Sequence, residues 1–123
     1  MQISEAESAV MEVLWQRQPL AAEEVFAALR ASRDWQEPTV KTLLNRLLKK
    51  GAIRATREGR RYRYAPLLAR EDWVARQSEG LLQRLFDGRV APLVAHFSQR
   101  RKLSRRDIEE LRKLIGELDD DRA

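Results

Sequence analysis

The chain has 123 residues, 43% hydrophobic and 35% charged, a composition too apolar in its periodic stretches for disorder and without an apolar run long enough to cross a bilayer. It has no Cys and one His, which excludes disulfides, thiolate metal sites, Cys nucleophiles and histidine clusters, and Ser4 and Ser104 have no plausible base beside them, so no cofactor and no enzymatic centre is expected. The net charge of +5 is uneven: residues 41–63 hold nine cations (Lys41, Arg46, Lys49, Lys50, Arg54, Arg57, Arg60, Arg61, Arg63) against Glu58 alone, leaving the rest of the chain at −3.

In chain order, Ser4-Glu5-Ala6-Glu7 is a capping box that starts a helix running to about Gln16, with Val10, Met11, Val13, Leu14 and Trp15 on its apolar side. Pro19 prevents continuation. A short amphipathic helix follows over about 22–31, carried by Val25, Phe26 and Leu29. A third helix spans Glu37 to Lys50, with Pro38 tolerated in the first turn and Gly51 as its C-terminal stop. Val40, Leu43, Leu44 and Leu47 form its core stripe, so Pro38, Thr42, Asn45 and Lys49 face outward, flanked by Thr39, Arg46 and Lys41. Alternation over 52–57 and 61–65 predicts two short strands, with Glu58-Gly59 as the hairpin connection.

Beyond Pro66 the pattern is helical again: about 72–86, then 90–97 after Gly88, then a last helix capped by Ser104 and Asp107. Trp73, Leu81, Leu85 and Phe86 in the first of these, and Ile108, Leu111, Ile115 and Leu118 in the last, are apolar residues that some 55 residues with neither disulfide nor metal cannot bury alone. A second copy is the expected cover. The predicted organisation is therefore two domains, 1–68 and 69–123, the second a three-helix dimerisation domain.

Three helices followed by a basic hairpin make the winged form of helix-turn-helix, a mainly α fold with a small β wing whose third helix enters the major groove. Thr39, Lys41, Thr42, Asn45 and Arg46 are placed to read base edges, while Lys49, Lys50, Arg54, Arg57, Arg60, Arg61 and Arg63 are expected on phosphates. About four phosphate contacts per subunit correspond to a log–log salt slope of roughly −7 for a dimer. Trp15, Trp35 and Trp73 are read as packing residues, and the single His96 as structural. The rival reading uses the same fold as a protein–protein adaptor whose basic face docks an acidic partner.

Residues 3–7, Val10-Met11 and Leu14-Trp15, the run Thr39-Val40-Lys41-Thr42-Leu43-Leu44-Asn45-Arg46-Leu47, Lys49-Lys50-Gly51, Tyr62-Arg63-Tyr64, and finally Leu103-Ser104 with Ile108-Glu109-Glu110-Leu111 closely resemble the BlaI/MecI family of penicillinase repressors over essentially the whole chain. The resemblance implies a homodimer that represses transcription from palindromic operators with TACA/TGTA elements, Thr39, Thr42 and Arg46 falling on the family's reading positions; short apolar runs and a start without the basic-then-apolar layout of a secretory signal make the cytoplasm the expected location. Pro38 stands where some members carry a basic residue. The resemblance also implies a membrane sensor protease as partner, and His96-Phe97 occupies the place of the family's cleaved Asn-Phe pair. Copper-responsive relatives carry C-terminal cysteines that this chain lacks.

Overall fold

The computed structural model describes residues 1–122. Its elements run α1 (Glu5–Gln16), β1 (Leu20–Ala21), α2 (Ala22–Leu29), α3 (Glu37–Lys50), β2 (Ile53–Glu58), β3 (Arg61–Pro66), α4 (Arg70–Phe86), α5 (Val90–Gln99) and α6 (Arg105–Arg122). They fall into two compact units, residues 1–75 and 76–123.

The capping box at Ser4 is formed in both directions: Glu7 N–H donates to Ser4 Oγ at 3.0 Å and Ser4 N–H to Glu7 Oε1 at 2.9 Å. Two helix-start donors are thus satisfied by side chains, and α1 begins where the sequence predicts. At the end of α3, Gly51 takes φ +78°, a left-handed conformation that costs glycine little, and its N–H closes on the Leu47 and Leu48 carbonyls.

The first unit buries one core. Val10, Met11 and Leu14 of α1 meet Val25 and Leu29 of α2 and the whole predicted stripe of α3, Val40, Leu43, Leu44 and Leu47, with Ile53 of β2 closing the cluster. The sheet has order β1-β3-β2 and is antiparallel throughout. The strand β1 is not foreseen from sequence; it is only two residues long and pairs Leu20 with Tyr64 and Ala21 with Arg63. The hairpin turn also lies one position beyond the expected one: Glu58 belongs to β2 and pairs with Arg61, so the connection is Gly59-Arg60, with Gly59 at φ +64°. One more ladder pair forms this way, while Gly59 still supplies the positive φ.

The first unit extends past the 68/69 boundary expected from sequence and takes in the first turn of α4. Trp15 Nε1 donates to the Leu68 carbonyl at 2.8 Å, the Trp15 and Trp73 rings lie 5.5 Å apart, and Arg70 Nε bonds the Glu12 carboxylate at 3.1 Å. Trp73, placed from sequence among subunit contacts, thus has an intrachain partner. Trp35 is half-buried against the core, with the Arg33 guanidinium 5.0 Å from its ring centroid.

The second unit is of another kind. Among residues 76–121 none is buried. An apolar groove between α5 and α6 is lined by Leu93, Val94, Phe97, Leu103, Leu111 and Leu114. His96 packs its ring edge-on to Phe97 at 5.3 Å, with Phe86 at 6.1 Å. No described helix is long and apolar enough to cross a membrane.

Candidate nucleic-acid interface

The α3 sequence fixes which side chains reach solvent. Four aliphatic residues at i, i+3, i+4 and i+7 are pulled into the core, and Val40, Leu44 and Leu47 retain no exposed surface. The remaining positions are turned outward by helix geometry alone, and Thr39, Lys41, Thr42, Asn45, Arg46 and Lys49 are all exposed. Fourteen residues give a rod about 21 Å long, and a helix of ~10–12 Å diameter fits the ~12 Å major groove of B-form DNA. The structure therefore brings all five base-reading candidates onto one helical surface.

Within that row two groups have intrahelical partners. Thr42 Oγ1 donates to the Pro38 carbonyl at 3.0 Å. Lys41 Nζ lies 3.6 Å from Glu37 Oε1, an exposed i,i+4 pair of little strength that a stronger anion can displace. Asn45 and Arg46 make no side-chain hydrogen bond or ion pair among the described residues.

The seven phosphate candidates divide. Lys49, Arg54, Arg57 and Arg60 are exposed and pair with no carboxylate among the described residues; Arg57 Nε bonds only the Gly59 carbonyl across the turn, at 3.1 Å. Lys50, Arg61 and Arg63 are engaged elsewhere. Lys50 Nζ is 2.5 Å from Glu7 Oε1, Arg61 reaches Glu23 and Glu24 of α2 at 3.0 and 3.5 Å, and Arg63 Nε lies 2.7 Å from Glu58 Oε2 in an ion pair within the wing. The sequence shows the cations but not the acids that fold against them.

Two of those acids, Glu24 and Glu7, are themselves stabilised as anions. The Ala21 N–H donates to Glu24 Oε1 at 2.9 Å, and with Arg63 and Arg61 nearby it holds the Glu24 carboxyl below its ordinary value. Arg61, beside the hairpin turn, therefore ties the tip of the wing to the start of α2. At Glu7 burial pushes the carboxyl up, but the bonds from Lys50 and from the Ser4 backbone outweigh it and the net shift is downward. Glu7 is the site residue that sequence reasoning misses, because its place in a capping box already accounts for it.

No group of His, Cys, Asp and Glu able to hold a metal ion occurs among the described residues. The surface consists of a groove-sized helix with a polar row, beside a hairpin carrying uncompensated cations. Charge on the hairpin suits the phosphate backbone, which is sequence-blind, and the row suits base edges.

Comparisons with known proteins agree with this geometry. The sequence profile described as "Penicillinase repressor" matches residues 3–117. The chain is 34% identical over 116 residues to the penicillinase repressor of Bacillus licheniformis, covering 94% of this chain and 91% of that protein. It is 30% identical over 115 residues to the methicillin resistance regulatory protein MecI of Mammaliicoccus sciuri, covering 94% of each. A solution structure of monomeric Bacillus licheniformis BlaI in complex with the blaP half-operator superposes with a TM-score of 0.52 at 39% identity, covering 58% of this chain and 88% of that one.

Proposed function

The chain belongs to the penicillinase repressor family, and from that premise we propose its mode of action: it is a DNA-binding transcriptional repressor that lays α3 in the major groove of each half of a palindromic operator, as a homodimer. One observation carries this reading. Thr39, Thr42, Asn45 and Arg46 form a solvent-facing row on a helix whose opposite face is locked in the core, and four cations without carboxylate partners among the described residues stand beside it. Asn pairs with adenine, Arg with guanine O6 and N7, and Thr methyls meet the thymine methyl. Lys49, Arg54, Arg57 and Arg60 supply the phosphate contacts, four per protomer, which supports a salt slope of roughly −7 for the dimer.

Dimerisation is supported by the second unit, where Leu81, Leu85, Val90, Phe97, Ile108, Leu114, Ile115 and Leu118 all stand exposed and Phe86 and Leu111 are only half-covered. Covering about 1,000 Å² of such surface contributes on the order of 25 kcal/mol before association costs, enough for a stable pair. Two-fold symmetry then places half-sites about one helical turn apart, and occupation of the operator blocks transcription sterically in the cytoplasm. Release by a membrane sensor protease is the companion reading. His96 and Phe97 lie inside α5 with exposed side chains, and their carbonyls accept from Arg100 N–H at 3.2 Å and Lys102 N–H at 2.9 Å, so this segment must unwind before a protease can hold it extended.

In-vitro selection from random duplexes tests the function. The expected product is a palindrome with TACA/TGTA arms, and recovery of no palindromic motif overturns the reading. Arg46→Ala should cost about 1–3 kcal/mol and relax preference at one base pair per half-site, whereas Arg60→Ala should weaken all duplexes alike.

A further inference from the structure

The ion pair at the end of α3 differs from the others in burial. Glu7 is only 1% exposed, and no other charged residue is buried among those described. Its Oε1 accepts from Lys50 Nζ at 2.5 Å and from Ser4 N–H at 2.9 Å, while Lys50 Nζ also donates to the Gln2 carbonyl at 2.8 Å. Gln2, Ser4, Glu7 and Lys50 thus form one knot joining the start of α1 to the last turn of the reading helix. Lys49, its neighbour in sequence, stands exposed with no such partner among the described residues.

Such a knot adds little net stability, because desolvating the buried Glu7 carboxylate offsets much of its attraction to the partly exposed Lys50. Its distinct contribution is directional. The apolar stripe of α3 is held by a non-directional force that resists separation far better than it resists a small roll or slide along the axis. A charge-assisted hydrogen bond resists both. Lys50 lies four residues beyond Arg46 and five beyond Asn45 on the same rigid helix, so any error at Lys50 is passed to the reading row. Base readout needs placement within about 0.5 Å and 10–20°.

We propose that Lys50 is a positioning residue for operator recognition, clamped by Glu7 so that the reading helix keeps one roll and one axial setting, and that it makes no phosphate contact. The proposal rests on the DNA-binding reading above.

The test uses the full chain with two fluorescent duplexes of equal length, one carrying inverted TACA/TGTA elements and one with that sequence scrambled, and Kd measured across a salt series. Glu7→Gln and Lys50→Met should each weaken the palindromic duplex roughly tenfold, the value of about one base contact, while changing the scrambled duplex less than about twofold. The salt slope should stay at the wild-type value, and the double variant should be no weaker than either single one. Arg60→Ala supplies the contrast, its slope shallower by roughly 0.9 for every phosphate that is no longer neutralised. The same flattening in Lys50→Met, beside a near-wild-type Glu7→Gln, overturns the proposal, as does equal weakening of both duplexes. If Lys50→Met does not fold, Glu7→Gln, which keeps the side chain's shape, decides alone. A wild-type chain indifferent to the two duplexes refutes the recognition reading itself and the positioning role with it.

Discussion

Leu118→Ala probes the proposed subunit interface, whose energy can be worked from the structure. Leu118 continues the stripe of Ile108, Leu111 and Ile115, whose spacings of three and four residues match a helix seam, and 55% of it is exposed in the single chain. Full burial of a leucine side chain yields about 1.5–3 kcal/mol, so covering the remaining half yields ~1 kcal/mol. A two-fold axis counts the residue twice, and the void left by truncation adds to the loss. The dimer should lose about 2–3 kcal/mol, a rise of ~30- to 150-fold in its dissociation constant. Sedimentation equilibrium measures this directly, and a half-site duplex provides the control, since the reading unit is untouched. A dissociation constant raised less than about threefold, or half-site affinity falling as far as full-site affinity, refutes the assignment of this stripe to the interface.

Three further expectations concern the reading unit. Leu44, with no exposed surface at the centre of the α3 stripe, should cost about 2–5 kcal/mol when cut to Ala, read from the urea midpoint at unchanged slope. Gly51→Ala should cost about 1 kcal/mol in the same assay: nothing lies within 4 Å of an added Cβ, so the penalty is purely that of a left-handed φ. The depressed Glu7 carboxyl sets an acid limit. A folded-state pKa below the ordinary 4.5 means the unfolded chain takes up the proton first, so this stabilisation is complete above about pH 4.5 and lost as pH falls through the folded value. Urea titrations on acidification should show a shallower fall for Glu7→Gln than for wild type; identical acid profiles would remove Glu7 from that role.

Sequence and structure agree most closely where a local signal and the core demand coincide. The Ser4 box, the Pro38 entry and the Gly51 exit bound α1 and α3, and the four aliphatic residues of α3 all enter the core, so the reading row is legible by elimination. The hairpin register is less legible because Arg57-Glu58-Gly59-Arg60 is polar throughout and offers no alternation to count; the Glu58–Arg61 pairing decides it. The strand β1 is invisible because two residues carry no period, and its partner Tyr64 lies more than forty positions away. Cation counting does not show which cations have acids beside them, for a related reason. Lys50 and Arg61 meet their acids only after α1, α2, α3 and the wing have packed, and such pairs are not encoded at any fixed spacing. Trp73 fits either a subunit contact or an intrachain one until the position of Trp15 is known.

The bond from Thr42 to the Pro38 carbonyl limits which base edges that side chain can accept. A hydroxyl has one proton, and here it is committed to the helix's own backbone, leaving lone pairs and a methyl group for any base edge that meets it. Thr42 is therefore an acceptor only. It favours the amino groups of adenine and cytosine or the methyl of thymine, and it is mute toward the two acceptors that guanine presents.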